Sequence, residues 1–474
     1  MVLCGLAGRA GLAGETGGPS LEDALSGFEE ETETFTGDKT LTVNEDGDGS
    51  PWDVGGTLKL STVCNINHEA PESGETDHRG LSRLRTELTL SVDRDLGPSW
   101  ECRLNGRAFY DFAYTIRGRE EYTGEVLDTY ENEAEIQEAY IRGSILPSLD
   151  LKAGRQILVW GRSETFRVTD VLNPLDYRTP GLVDIENLRL PVTMIRLDYY
   201  LGNISISGIA IPEIRFHKLP VVGHDFYPAD YTTKEVIPEE NAGNTEWGLE
   251  VKGIFHNWDA SLYAAGFFDD LFYVKSLGYY EYRQVDEIRL SGGGVQPVYE
   301  QTPATELRHP RLFMGGMAAN AAWGSWIFKT EVAFTSGHRF TLVEEEKDKW
   351  KFLFGVEYSG LKKTRLYLDF METRINGFEP AMASTPNYAR KEQFEAALHI
   401  SRTFRRERLE LTFTAMIRGE EGEDGALERI SVSYDFTDRF TGKVGAIFYQ
   451  DGQDPPYHNI HENNRLYLDL TCSF

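Results

Sequence analysis

The links between the strand-like tracts of this chain alternate, short then long, along most of its length. Short links fall at Pro98-Ser99, Pro147-Ser148, Gly202-Asn203, His256-Asn257, Gly324-Ser325, Gly360-Leu-Lys-Lys363 and Asp438-Arg439. Between them lie long stretches at 68–80, 117–132, 161–192, 214–243, 270–308, 340–349, 376–390, 420–427 and 451–463. A two-sheet sandwich has no reason to keep that parity. A barrel in an outer membrane does, because tight turns sit at one rim and long loops at the other. The tracts begin near Gly56, Leu81, Trp100, Glu135, Leu149, Thr193, Ile204, Thr245, Trp258, Arg311, Trp326, Lys351, Thr364, Gln393, Arg408, Glu428, Thr441 and Asn464. The expectation is an all-β, transmembrane, antiparallel up-and-down β-barrel of about eighteen strands (16–18), since an even count returns the last strand to the first.

Alternation within the tracts supports this. Leu84, Thr86, Leu88, Leu90 and Val92 share one face, opposite Arg83, Arg85, Glu87 and Thr89. Leu409, Leu411, Phe413, Ala415 and Ile417 oppose Glu410, Thr412, Thr414 and Arg418. The last ten residues place Leu466, Leu468, Leu470, Cys472 and Phe474 on one face and Arg465, Tyr467, Asp469, Thr471 and Ser473 on the other. Period two gives each strand one apolar and one wet face. A terminal aromatic residue is also what the barrel-insertion machinery reads in such proteins, so that machinery is an expected partner.

Composition narrows the alternatives. The chain is 40% hydrophobic and 12% aromatic, with a mean hydropathy of −0.41. It has no apolar run long enough for a membrane helix, whereas a barrel needs apolar residues only at alternate positions. The formal charge of −28 argues against a nucleic-acid partner. Cys4, Cys64, Cys102 and Cys472 form no metal-ligand spacing and no dense disulfide framework.

Residues 1–14 resemble the tail of a signal peptide, and residues 15–55 read as a polar periplasmic leader ahead of a barrel at 56–474. Within the leader, Leu21, Ala24, Leu25 and Phe28 share a helical face behind Ser20. That segment is either a short docking helix or a loosely held tail. Asp46-Gly-Asp-Gly-Ser50 lacks the glycine and terminal glutamate of a calcium loop and reads as an acidic turn. No metalloprotease helix motif, nucleophile elbow or phosphate loop is present, so neither an enzyme nor a bound cofactor is expected.

Charges facing away from lipid are the candidate functional residues. Parity places Arg83, Arg85, Glu87, Arg103, Arg107, Asp111, Arg196, Asp198, Arg365, Asp369, Arg418, Arg465 and Asp469 toward the lumen. On the lipid face such charges would each cost about 2–4 kcal/mol at the midplane. Inside, they can lock the wall by cross-strand ion pairs or line an aqueous path. Acid runs in the loops, such as Glu344-Glu-Glu346 and Glu420-Glu-Gly-Glu-Asp424, are solvated surface or sites of cation bridging to lipopolysaccharide in the surrounding outer-membrane lipid.

Gly154-Arg-Gln-Ile-Leu-Val-Trp-Gly161, followed by Thr169-Asp-Val-Leu-Asn-Pro-Leu-Asp176, resembles a porin-like outer-membrane family of Gram-negative bacteria catalogued as a domain of unknown function. Alginate-export-type barrels carry related strands. The resemblance implies a single-chain barrel in the outer membrane and brings in a periplasmic carrier or inner-membrane exporter as an expected partner. Strict alternation turns Arg155 to lipid with Leu151, Ala153 and Ile157, unless Gly154 hosts a bulge. By analogy with general porins, the third external loop is the candidate constriction, with Arg162, Arg167, Asp170, Asp176, Arg178, Asp184, Glu186 and Arg189. The function expected is a channel for polar or amphipathic solutes, passive or partner-gated. The alternative is a conduit for lipids or hydrophobic compounds that works with periplasmic partners.

Overall fold

The computed structural model describes residues 52–71, 75–183, 185–227, 235–289, 295–384, 387–452, 457–458 and 460–474. Residues 1–14, nearly all of the leader and the acidic turn at 46–50 lie outside them. In chain order the strands are β1 (Trp52–Asn65), β2 (Gly80–Gly97), β3 (Trp100–Asp111), β4 (Asn132–Leu146), β5 (Leu149–Gln156), β6 (Val192–Leu201) and β7 (Ile204–Ile211). Next come β8 (Glu235–Val236), β9 (Glu246–Phe255), β10 (Trp258–Phe268), β11 (Tyr273–Arg289), β12 (Val295–Arg308), β13 (Arg311–Trp323) and β14 (Trp326–His338). The series ends with β15 (Lys347–Tyr358), β16 (Thr364–Asn376), β17 (Glu392–Phe404), β18 (Leu409–Arg418), β19 (Ala426–Thr437), β20 (Phe440–Gln450) and β21 (Arg465–Ser473).

All but β8, β11 and β12 form one 18-stranded sheet. It closes on itself through antiparallel pairing of β1 with β21, from Thr57 opposite Ser473 to Asn65 opposite Arg465. At the seam, Gly56 and Phe474 exchange both backbone hydrogen bonds, at 2.9 and 3.0 Å. Closure leaves no open edge, the condition for strands to cross hydrocarbon. Barrel strand β1 starts at Trp52, four residues ahead of Gly56, where the pattern placed it.

Outward faces are apolar. Leu58, Leu60, Leu88, Leu90, Leu104, Ile195, Leu197, Trp247, Leu249, Phe352, Phe354, Leu466 and Leu468 are all exposed, as a band meeting lipid tails requires. No helix among the described residues is long and apolar enough to cross a membrane.

The stretch 270–308, expected as a plain loop, instead builds the β11–β12 hairpin, with β8 alongside β12. Long external stretch 112–131 carries short helices at Ala113–Arg117 and Gly124–Tyr130, the second capped by Thr123, whose Oγ1 accepts from Val126 N at 3.2 Å.

Candidate functional site

β5 ends at Gln156, and the chain then turns inward instead of continuing up the wall. Leu158, Trp160, Phe166, Val168 and Leu172 are buried in one cluster with Met194, Ile211, Tyr263, Leu312 and Met314 of the inner wall. Gly248 on β9 makes room for this. A Cβ there would lie 2.7 Å from Trp160 Cη2 and 2.8 Å from Leu172 Cδ1.

Polar anchors fasten the same segment to the far strands. Glu331 on β14 is 1% exposed. Its Oε1 accepts from the backbone N–H groups of Arg162 (2.6 Å) and Ser163 (2.9 Å), and its Oε2 from Thr169 N (3.2 Å) and Thr169 Oγ1 (2.8 Å). Ser163 Oγ donates to Asp369 Oδ2 on β16 at 2.7 Å. Glu164 pairs with Lys329 and Arg365, and Arg162 pairs with Asp259 while donating to Ser261 Oγ at 2.9 Å. A buried carboxylate is tolerable only when its lone pairs are filled, and Glu331 fills four positions with one loop.

The segment then crosses to the opposite wall. Arg178 binds Asp176 (2.6 Å) and Glu133 of β4 (2.8 Å) and donates to Thr129 O. Pro180 O accepts from Tyr449 OH at 2.6 Å, and Leu182 packs on the cluster of Val63, Ile447, Tyr449 and Tyr467. Asp170 is gripped by Arg189 (2.9 Å) and Arg167 (3.2 Å). The segment therefore reaches β10, β14 and β16 on one side and β4, β20 and β21 on the other. Asp184 lies outside the described residues, as does the side chain of Glu186.

The next loop joins it. Lys218 binds Glu133 and Glu135, and Arg215 binds Glu135. Asp225 receives Asn65 Nδ2 (3.0 Å) and Arg465 Nη2 (3.2 Å), while Phe226 stacks under the Arg465 guanidinium. Burial drives His224 down to about 4 despite the neighbouring Asp225. Burial likewise brings His217 to about 3, and its Nδ1 accepts from Leu175 N at 2.9 Å. Sequence alone attached no role to residues 212–227. Their docking depends on partners up to 240 positions away.

The inward-facing charges occupy two tiers. Arg83, Arg85, Asp111 and Arg465 surround a cavity of about 30 Å³ beneath the 112–131 stretch, with His224 and Asp225 in its lining. That volume suits about two ordered waters. Arg85 lies 3.4 Å and Arg83 4.0 Å from the single carboxylate of Asp111. Elsewhere on the inner wall the charges form cross-strand pairs: Arg103 with Asp93 (2.7 Å) and Glu138 (3.6 Å), Arg107 with Glu133 (3.9 Å), Lys59 with Asp469 (3.0 Å); Arg196 pairs along its own strand with Asp198 (2.8 Å). Arg365 holds Glu357 at 2.8 Å, Glu87 stands opposite Lys59, and Arg418 stands opposite Glu395.

Arg155 departs from the lipid-facing assignment of strict alternation. Its guanidinium binds Glu213 at 2.6 Å, lies 3.4 Å from Glu135, and donates to Ile136 O at 2.9 Å. The reason is the end of β5: the β4–β5 ladder begins only at Ala139 opposite Arg155, so the side chain reaches across the gap above it. Gly154, with φ +131°, supplies the backbone conformation, and a Cβ there would meet Ala139 O at 2.2 Å.

Among solved structures the barrel is similar to OccAB1 of Acinetobacter baumannii, with TM-score 0.51 and 10% identity, covering 89% of this chain and 96% of that one. It is similar also to OccAB3 of the same organism, with TM-score 0.50 and 11% identity over 89% of this chain and 99% of that one. At such identity the likeness is one of fold. No curated protein matches the chain. A family model does match, from residue 48 to residue 474, and the chain belongs to that family, described as Protein of unknown function (DUF1302).

Proposed function

We propose that this protein is a porin-like channel of the Gram-negative outer membrane, passing polar or amphipathic solutes along a route narrowed by the loops at 157–191 and 212–227. The observation that carries this reading is the crossing of a closed barrel by a segment held by ion pairs, hydrogen bonds and a buried apolar cluster rather than by a continuous ladder. The polar fastenings can be exchanged for water, so the part of the segment beyond the apolar cluster narrows the passage and can also release it. Whether release is spontaneous or prompted by a periplasmic carrier or exporter is part of the same proposal. Paired charges of both signs along the wall suit solutes with a polar end and do not impose a single-sign barrier. Exposed Phe474 at the end of β21 fits recognition by the insertion machinery, and the external acid runs fit cation-bridged lipopolysaccharide.

The test is single-channel recording of the refolded full chain in planar bilayers. Discrete steps that grow when Arg178 and Glu331 are replaced support the channel. Silence in both forms, together with transfer of a lipid or apolar solute from a periplasmic carrier, overturns it in favour of the conduit reading.

A further inference from the structure

The turns at the rim where the chain closes differ sharply in charge. Pro98-Ser99, Pro147-Ser148, Gly202-Asn203 and Gly324-Ser325 carry none. Three consecutive turns on one side carry nearly all of it: Lys362 and Lys363 between β15 and β16, Arg405, Arg406, Glu407 and Arg408 between β17 and β18, and Asp438 and Arg439 between β19 and β20, six cations against two carboxylates. These turns are neighbours along the rim, and all six cations are exposed. In a chain of net charge −28, a local excess of this kind is not an effect of composition.

The placement of Arg402 says what the cations meet, and the backbone of the 405–408 turn shows how they are displayed. Arg402 stands opposite Leu411, on the outward face near the end of β17, with its guanidinium 5.2 Å from the Phe404 ring. Among the described residues, no carboxylate pairs with Arg402, Arg405, Arg406, Arg408 or Arg439. The one ion pair in the arc joins Lys363 to Glu407 at 3.4 Å and ties two turns together. A guanidinium on the lipid face is tolerated only near the interface, where its counter-ion is a headgroup phosphate. Arg405, Arg406 and Glu407 hold left-handed backbone at φ 49°, 61° and 71°. Glycine adopts that conformation without penalty. That turn presents Arg405 and Arg406, both exposed, at the rim.

We infer that this arc is a binding surface for anionic phospholipid headgroups of the periplasmic leaflet, on the side of the barrel formed by β15–β20. Arg402, Lys362 and the 405–408 turn engage the phosphates, and Phe404, Phe436 and Phe440, all exposed beside them, pack against the glycerol backbone and upper acyl chains.

The experiment uses the full chain folded into phosphatidylcholine bilayers with trace spin-labelled phosphatidylglycerol or phosphatidylcholine. Electron spin resonance then reads the motionally restricted fraction of each label. The expected result is a roughly fivefold preference for phosphatidylglycerol for each site engaging one cation, diminished in high salt. The combined Arg402→Gln, Arg405→Gln, Arg406→Gln and Arg408→Gln variant abolishes the preference while keeping the heat-sensitive gel mobility of a folded barrel. Equal restriction of the two labels by the parent protein overturns the inference, and is the outcome if an acidic protein rather than lipid occupies the arc. A preference unchanged in the variant also overturns it. Conductance is recorded on the same variant, so a failed channel reading and a failed lipid site are told apart.

Discussion

Replacing Glu331 by Gln keeps volume and removes charge, and so isolates what this carboxylate does for the lumenal segment. In the parent protein both oxygens accept, two hydrogens each, from Arg162, Ser163 and Thr169. An amide accepts only on its oxygen. Whichever way it turns, its NH2 group faces two donors, so two charge-assisted bonds are lost and buried N–H groups go unmet. At about 1.5–3 kcal/mol per bond the loss is roughly 3–6 kcal/mol of anchoring. Even 3 kcal/mol raises the detached population by more than about a hundredfold, at tenfold per 1.4 kcal/mol. Planar-bilayer recordings should show the variant dwelling in a larger conductance level that the parent visits rarely. Folding is checked by the shift in gel mobility on heating. An intact E331Q barrel with the parent's step size and open fraction would refute the idea that Glu331 fastens a movable constriction.

Gly248→Ala drives a methyl group against Trp160 and Leu172, where no slack exists. Overpacking of about 1–3 kcal/mol should lower the temperature of the heat-induced mobility shift, and an unchanged transition would contradict the packing described. Acidification should loosen the 212–227 loop. His217 and His224 are held well below an ordinary histidine, to about 3 and about 4, by burial. Because the docked state favours the neutral rings, docking stability is complete above about pH 6.5 and declines as the pH falls toward those values. At pH 5 each histidine weakens docking by about 2 kcal/mol relative to pH 8. Open probability should therefore rise between pH 7 and pH 5, a rise that His217→Asn with His224→Asn flattens. A pH-independent parent would count against it.

Much of the barrel was legible in the sequence because lipid imposes a rule on every strand. Strands at Trp100, Leu149, Ile204, Trp258, Arg311, Trp326 and Thr364 begin on the residues where alternation and turn chemistry place them. The β11–β12 hairpin escaped because its stretch carries no sustained apolar–polar alternation to announce it. The path of the loops was the least legible part. Nothing near Asp225 in sequence points to Arg465 and Asn65, and Glu164 looks like any loop acid until Lys329 and Arg365 meet it. Arg155 fell between the two cases. Its parity was readable, but the early end of β5 that diverts its side chain was not.

The crossing segment is written into the chain between β5 and β6, yet its fastening points at Glu331, Asp369 and Tyr449 are synthesised long afterwards. Its earlier-made anchors are Thr129 and Glu133 beside and on β4, so the crossing is fastened on both sides only once β14, β16 and β20 are in place.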